Sequence, residues 1–347
     1  MLSKECFTPE WIEKIKNDNA PADPAIIEKT IYAFELLSKL SELGAEFVFK
    51  GGTSLLLLVE VPKRLSIDVD ISTEETKEQV ERQLNETVKN SVFISWEENP
   101  RSATNIPKRH YKLFFHSVIN PNHNSYILLD VLFQENPYPE TISKQIENKF
   151  IITNKPVNCT IPTAESLLGD KLTAFAPNTT GIPYGANKSM EIQKQLFDIG
   201  TLFSLTEDID VIGKTFENFV KIESKYRGKS FSTEDVIDDI MNTSFLVCQI
   251  LLRKADINAK TQELQEGITK LNSHLIGTRY NLEAAKLNAA KAAFVAYSII
   301  NKKTFSSNKV FDISEISNTK LKDNYKILER LKTILPEVYY YWQKISS

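Results

Sequence analysis

Two aspartates, Asp68 and Asp70, lie two positions apart in the β-branched segment LSIDVDIS. Residues at i and i+2 of a strand point to the same face of a sheet, so this spacing predicts two carboxylates side by side. Such anions repel each other strongly unless cations lie between them. Carboxylate oxygens suit Mg²⁺, which takes one or two carboxylates together with waters and substrate phosphates. The pair therefore predicts a metal site that also receives phosphate.

A third carboxylate is expected from Asp130, which lies in the otherwise apolar segment LLDVLF. A charged side chain in an apolar strand is costly unless it is paired or bound to a metal. On a strand next to Asp68 and Asp70, it would complete a clamp for two metal ions. The alternative is that Asp130 is the buried partner of Arg64 or Lys171.

A glycine pair, Gly51 and Gly52, precedes an apolar run and predicts a phosphate site. Glycine allows the backbone to approach a ligand closely, and the N-terminus of the following helix offers free N–H groups. Thr53 or Ser54 is predicted to cap that helix and to add hydroxyl donors. Arg64 precedes the D-x-D segment and is expected to neutralise phosphate or to pair with a carboxylate.

The hydrophobic patterns around these residues predict an α/β first half in which helices and strands alternate. Helical spacing of apolar residues predicts a helix over 24–43, and the charged segment 74–90 predicts another. Alternating or continuous apolar segments predict strands. These strands are expected at 45–50, 65–72, 91–97, 110–119 and 125–134.

Strand patterns disappear in the second half, which predicts an all-helical domain. The chain of 347 residues is longer than one compact domain usually is, so we expect two domains, 1–205 and 206–347. A compact loop at 176–189 contains two prolines and two glycines and is either a substrate lid or a passive connection. Helices are predicted near 208–225, 233–253, 257–275, 279–301 and 318–345.

Composition indicates a globular protein of ordinary type, with 41% hydrophobic and 25% charged residues. The net charge of −3 excludes a general electrostatic attraction to nucleic acid or membranes, so an RNA partner would need a local basic face such as the run at 108–112. The three cysteines are widely spaced, no secretory h-region is present, and the apolar runs are too short to cross a bilayer. Together these features predict a cytoplasmic protein without a membrane partner.

These motifs together resemble a known group of enzymes. A glycine turn into a helix, D-x-D on the next strand and a lone Asp on a later strand are similar to the polymerase-β-like nucleotidyltransferases. The string K-G-G-T-S-L…R-x-S-x-D-x-D resembles the AbiEii/AbiGii toxin family of bacterial type IV toxin–antitoxin and phage-defence systems. The segments GDKLTAF and KQLFDIG resemble that family's downstream motifs, so the matching motifs run from Lys50 to about Leu202.

The resemblance implies a mixed sheet with flanking helices, followed by an all-helical C-terminal domain. It implies that Lys171 contacts phosphate and that Asp198 orients Lys171 or the nucleotide. Family members often carry an acidic residue after the basic one in the last motif, whereas here Gln195 follows Lys194. Triphosphate binding is implied for Gly51, Gly52, Thr53, Ser54 and Arg64. Ligation of two Mg²⁺ ions, or of Mn²⁺, is implied for Asp68, Asp70 and Asp130. Asp130 is also a possible base.

The resemblance further implies the reaction and its partners. A nucleoside monophosphate would pass from an NTP to a macromolecular hydroxyl, either the 3′ end of a tRNA or a protein side chain, and would thereby inhibit bacterial growth or defend against phage. A cognate antitoxin encoded nearby is expected. Two alternatives remain: a small-molecule acceptor, as in aminoglycoside nucleotidyltransferases, and a catalytically silent module that binds nucleotide or RNA.

Overall fold

The computed structural model describes residues 2–100, 106–252, 257–303 and 311–346. Contacts within the chain define two compact units. The first contains Met1–Thr163 and Ser273–Arg279, and the second contains Ala164–Asn272 and Tyr280–Ser347. This division falls earlier in the chain than the predicted boundary after residue 205, which stays a prediction.

The first unit is built on a mixed sheet, as predicted. Its described strands have the order β3-β4-β5-β2-β1-β7-β6. β2 runs parallel to β5 and antiparallel to β1, and β1 runs parallel to β7. The strands are β1 Val48–Lys50, β2 Val69–Thr73, β3 Phe93–Glu98, β4 Lys108–His116, β5 Asn124–Phe133, β6 Thr141–Gln145 and β7 Asn158–Pro162.

One face of this sheet is apolar and packs on helix α2, Pro24–Glu42. The helix begins after Asp23, whose carboxylate accepts a hydrogen bond from the backbone N–H of Ala25, and it ends before Gly44, which has a φ of +75°. Buried residues of this face, Ile71 and Leu129 among them, belong to one core with α2. Alternation along the strands leaves their polar residues on the opposite face. The unit's other α-helices are α1 Pro9–Asp18, α3 Gly51–Leu58 and α4 Lys77–Lys89.

β2 begins later than the predicted strand over 65–72. The residues before it make other contacts: the N–H of Leu65 donates to the carbonyl of His274, and Thr30 Oγ1 donates to the carbonyl of Ser66. Arg64 forms an isolated antiparallel bridge with Leu275. The segment before Asp68 therefore pairs with residues far along the chain instead of extending the strand.

The predicted caps of helix α3 are also wrong. The helix begins at Gly51, directly after β1, and its N-cap is Lys50, which makes no side-chain capping bond. Thr53 and Ser54 lie inside the first turn and not before it. Lys50 therefore provides no side-chain cap for the first N–H groups of α3, which have no partners within their own helix.

The second unit is all-helical in its described residues. The Ala-rich helix α10 packs against α6, α8 and α12 because its small side chains, such as Ala289 and Ala293, allow close approach. None of the described helices is long and apolar enough to cross a membrane. The helices are α5 Ala164–Ala174, α6 Ser189–Phe203, α7 Ile209–Tyr226, α8 Thr233–Gln249, α9 Ala259–Leu271, α10 Leu282–Asn301, α11 Leu331–Ile334 and α12 Pro336–Ser346.

The single helix predicted over 318–345 is wrong. A 3₁₀ helix covers Asp323–Arg330, and the short α11 follows it. Pro336 then begins α12, because proline has no N–H to continue the preceding helix and disfavours helical geometry at Leu335. Leu335 has φ and ψ of −141° and 69°, which separates the two helices.

The loop at 176–189 is anchored by the buried carboxylate of Asp239 on α8. Asp239 accepts hydrogen bonds from the backbone N–H of Asn178 at 2.7 Å and from the Thr179 hydroxyl at 2.9 Å. The side-chain amide of Asn178 donates to the same carboxylate at 2.5 Å. These bonds fix the first turn of the loop, which favours a fixed connection over a lid for this part.

Replacement of Asp239 by alanine should destabilise the helical unit. It would leave the N–H and amide of Asn178 and the Thr179 hydroxyl without their acceptor, at a cost of about 2–4 kcal/mol. Urea unfolding followed by circular dichroism measures this loss, and limited proteolysis should cut within 176–189. Asp238→Ala, at the exposed neighbouring position, is the control. Equal stability of the two variants would contradict the anchoring role.

Candidate active site

The strand register aligns four polar residues in one row across the sheet. Lys50 pairs with Asp70, Asp70 with Asp130, and Asp130 with His110. Side chains of directly paired residues leave a sheet on the same face, with Cβ atoms about 4.5–5.5 Å apart in antiparallel pairs. The carboxylates of Asp70 and Asp130 therefore lie side by side on neighbouring parallel strands, and Asp68 directly precedes β2.

The two glycines at the start of α3 make room for charged side chains. Gly51 has a φ of +76°, and a Cβ at this position would overlap Oδ2 of Asp70. A Cβ at Gly52 would lie 2.5 Å from Nη2 of Arg64. The glycines thus bring the N-terminus of α3 against a carboxylate and a guanidinium, which only residues without a side chain allow.

The hydroxyls of Thr53 and Ser54 are engaged within the protein. Thr53 Oγ1 donates to the carbonyl of Asp68 at 2.5 Å, and Ser54 Oγ donates to the carbonyl of Gly51 at 2.9 Å. Both residues are buried. The groups at this turn that are suited to phosphate are therefore the backbone N–H groups at the start of α3, where the helix dipole also favours an anion.

Asp130 is paired with two cationic or hydrogen-bonding side chains of β4. Nζ of Lys108 lies 2.6 Å from Oδ2, and Nδ1 of His110 lies 2.5 Å from Oδ1. The partners are thus Lys108 and His110, and not Arg64 or Lys171, the two considered from the sequence. A signal for them was present: alternation in KRHYKLFF places the side chains of Lys108 and His110 on the face opposite the buried Tyr111.

The ionisation of Asp130 is set by opposing effects. Burial raises the pKa of its carboxyl group, but the ammonium of Lys108 and the hydrogen bonds from Lys108 and His110 outweigh burial and hold the pKa below its ordinary value of 3.8. The group is therefore ionised at neutral pH. It is a better ligand for a cation than a proton acceptor, because a low pKa makes a weak base.

The Asp70–Asp130 pair fits a divalent cation. Mg²⁺ typically takes one or two protein carboxylates and fills its other positions with water and phosphate. Across the residues that the structure describes, no group of three or more His, Cys, Asp or Glu side chains is arranged to hold a metal. The set of three ligands that includes Asp68 therefore stays a prediction, while Asp70 and Asp130 provide the carboxylates that fit.

In the second unit, Lys171 and Asp198 form a buried ion pair. Nζ of Lys171 on α5 lies 3.0 Å from Oδ2 of Asp198 on α6, and their side chains are 8% and 0% exposed. The ammonium also donates to Oε1 of Gln195 at 3.1 Å. Gln195 and Asp198 are three positions apart on α6, so both face Lys171. Contact of Lys171 with phosphate stays a prediction.

Gln195 is a neutral second partner of Lys171 in this pair. It stands where relatives are expected to have an acidic residue, and its neutral oxygen accepts from Lys171 without adding a second negative charge. One ammonium therefore faces one carboxylate and one carboxamide. The remaining attraction of Lys171 for an anion is larger than it would be between two carboxylates.

Comparisons with known proteins found a matching family model and similar solved structures. The family model described as nucleotidyl transferase AbiEii toxin, type IV TA system, matches residues 35–277. A search of curated proteins found no match. Among solved structures, MenT4, a nucleotidyltransferase toxin from Mycobacterium tuberculosis, has a TM-score of 0.52 at 12% identity, covering 98% of this chain and 99% of its own. JHP933 from Helicobacter pylori has a TM-score of 0.43 at 14% identity, covering 87% and 94%.

Asp198→Ala should destabilise the second unit by about 3–5 kcal/mol, because it leaves the buried ammonium of Lys171 without its anion. Equilibrium unfolding in urea measures the loss. The double variant with Lys171→Met should be less destabilised than the sum of the two single variants, since no uncompensated charge remains. Strictly additive losses would show that the two side chains do not interact.

Lys108→Met should raise the pKa of Asp130, since it removes the nearest cation. Because the folded pKa is lowered, ionised Asp130 stabilises the fold above about pH 4 and loses this contribution as the pH falls through the folded value. The variant should therefore lose stability at pH 7 and little at pH 2–3. NMR titration of the Asp130 carboxyl carbon measures the pKa. Arg109→Met, whose Nε faces Glu98 at 3.3 Å, should leave that pKa unchanged.

Proposed function

Since the chain belongs to the AbiEii nucleotidyl transferase toxin family of type IV toxin–antitoxin systems, we propose that it transfers a nucleoside monophosphate from an NTP to a macromolecular hydroxyl. The observation that carries this proposal is the pairing of Asp70 with Asp130 on adjacent strands beside the N-terminus of α3. The N-terminus of a helix favours phosphate, and paired carboxylates favour the divalent cations that accompany it.

The chain's own groups bind and orient the triphosphate. The N–H groups that follow Gly51 and Gly52 donate to phosphate oxygens, and Arg64, which lies against Gly52, neutralises their charge. Asp70 and Asp130 would hold Mg²⁺, or Mn²⁺, with Asp68 as the proposed third ligand. When bound, these ions supply a lower pKa for the acceptor hydroxyl and charge stabilisation at the α-phosphate. Pyrophosphate is the leaving group.

Lys171 is the side chain proposed to face the negative charge that develops on phosphate during transfer. Lys171 is held by Asp198 and Gln195 in a fixed orientation, which lowers the entropy that an unrestrained lysine loses on binding. In phosphoryl transfer, positioning and charge neutralisation supply most of the rate. Lys171 is therefore proposed to contact phosphate, with Asp198 as the residue that positions it.

The proposed acceptor is the 3′ end of a tRNA or a protein hydroxyl, and the proposed effect is growth inhibition or phage defence in the bacterial cytoplasm. A type IV system implies an antitoxin partner encoded nearby. Incubation of the protein with labelled NTP, Mg²⁺, total tRNA and cell lysate tests the proposal, because the molecule that becomes labelled identifies the acceptor. Label on RNA or protein supports the proposal, and label on small amines supports an aminoglycoside-type acceptor. Tight NTP binding without transfer indicates a silent module.

Asp70→Asn should reduce transfer at least about a hundredfold, because it removes one of the two neighbouring carboxylates that fit the cation. The measurement is label incorporation in the same mixture, together with growth arrest after expression in a bacterial host. Because Asn is nearly isosteric with Asp, the variant should have the same unfolding midpoint as the wild type.

Asp18→Asn, at an exposed position of α1, provides the matched control and should retain full transfer and toxicity. Undiminished incorporation by Asp70→Asn would remove Asp70 from the site. Unfolding of that variant would instead assign Asp70 to the fold, and Asp130→Asn would then be assayed in its place.

A further inference from the structure

Lys50 stands at one end of the polar row on the sheet. It is the last residue of β1, and its register partner on β2 is Asp70. Its neighbour Phe49 is buried in the core shared with α2, so alternation along the strand directs Lys50 to the opposite, polar face. Lys50 is partly exposed, so a ligand on this face can reach it.

The ammonium of Lys50 has no polar partner in the part of the chain that the structure describes. It forms neither a hydrogen bond nor an ion pair there. The carboxylate of its strand neighbour, Asp70, lies against Gly51. Lys108, on the same face, is by contrast 2.6 Å from Oδ2 of Asp130. Lys50 is therefore a cation beside the candidate metal ligands that no described anion holds.

The place of Lys50 in the chain is electrostatically unfavourable without an anion. Lys50 is the N-cap of α3, where Ser, Thr, Asp and Asn are preferred because their oxygens accept from the first N–H groups. A lysine offers no acceptor and is repelled by the positive end of the helix dipole. Arg64, whose Nη2 would lie 2.5 Å from a Cβ at Gly52, adds a second positive charge at the same turn. A bound anion would offset this repulsion.

We infer that Lys50 binds the pyrophosphate portion of the NTP, and this inference rests on the proposed nucleotide transfer. A lysine ammonium binds phosphate as a point charge with three N–H donors. Lys50 and the start of α3 lie on the β1 side of Asp70, whereas Asp130 lies on its β5 side. Because the carboxylates are proposed to serve the α-phosphate, the β1 end of the row is left for the two phosphates that depart.

The charge of the proposed site also requires a further cation. The three proposed carboxylate ligands offset most of the positive charge that two divalent ions bring. A triphosphate bound there consequently needs cations from the chain itself, since charge neutralisation supplies much of the rate in phosphoryl transfer. Arg64 is one such cation at the turn, and Lys50 supplies another from the sheet. No bond is made or broken at Lys50, whose ammonium holds the leaving group.

Calorimetric titration of the full chain with inorganic pyrophosphate and Mg²⁺ tests the inference without nucleotide transfer. Lys50→Met should weaken pyrophosphate binding at least about tenfold, because it removes a charge-assisted hydrogen bond. Lys50→Gln, which keeps a polar side chain, should show the same loss. Lys50→Arg keeps the charge and should retain most of the affinity. The affinity for NTP should change in the same order.

Lys144→Met is the matched control. Lys144 is a partly exposed lysine of β6, and its register partner, Cys159, belongs to the core on the α2 side of the sheet. Lys144 therefore lies on the face opposite the polar row, and its replacement should leave pyrophosphate binding unchanged. Urea unfolding curves establish that each variant is folded.

Three results would overturn the role of Lys50: no pyrophosphate binding by the wild type, equal affinity of Lys50→Met and the wild type, or equal losses in Lys50→Arg and Lys50→Met. The last result would show that charge is not what matters. The transfer assay separates this inference from the proposed function. Transfer by the wild type, with pyrophosphate affinity unaffected in Lys50→Met, removes only Lys50 from the site. Lys50-dependent binding without label on any acceptor contradicts nucleotide transfer and leaves the phosphate contact in place.

Discussion

Like-charge repulsion between Asp70 and Asp130 is the constraint on which the first unit depends. Parallel pairing of β2 and β5 puts the two carboxylates in one row, where neither can move away without breaking the sheet. The protein balances this charge with Lys108, and His110 holds the other oxygen of Asp130 through a short hydrogen bond. The row is thus an anion pair with a built-in counter-ion, and its geometry is fixed by backbone hydrogen bonds instead of flexible loops.

The surrounding elements can be understood as support for that row. The apolar face of the sheet packs on α2, so the strands are fixed from behind while the polar face carries the charges. The glycine pair allows α3 to begin directly against Asp70 and Arg64, which adds the positive end of a helix dipole to the same place. The positive groups at the site therefore come from backbone as well as from side chains.

Local sequence signals predicted the elements whose ends are set by neighbours in the chain. α2 follows its cap at Asp23 and its stop at Gly44, and the alternating pattern around Asp70 indicated β2, although Asp68 lies just before this strand. The predictions that were wrong or incomplete concern contacts with residues far away in the sequence. The residues before Asp68 pair with residues 274–276, which no local pattern reveals. The partners of Asp130 depend on the register of β4 with β5, which periodicity alone does not specify.

The ion pair at Lys171 and the ion pair at Asp130 differ in how they are balanced. Lys171 faces one carboxylate, that of Asp198, and the neutral carboxamide of Gln195, so its partners carry no excess of negative charge. Asp130 instead has both oxygens engaged, and any cation that binds it must compete with Lys108. Lys108 is 31% exposed at its side chain and can rotate into solvent, where its ammonium regains hydration. The cost of exchange at Asp130 is consequently the cost of displacing one partly exposed lysine, whereas the strand that carries the carboxylate does not have to move.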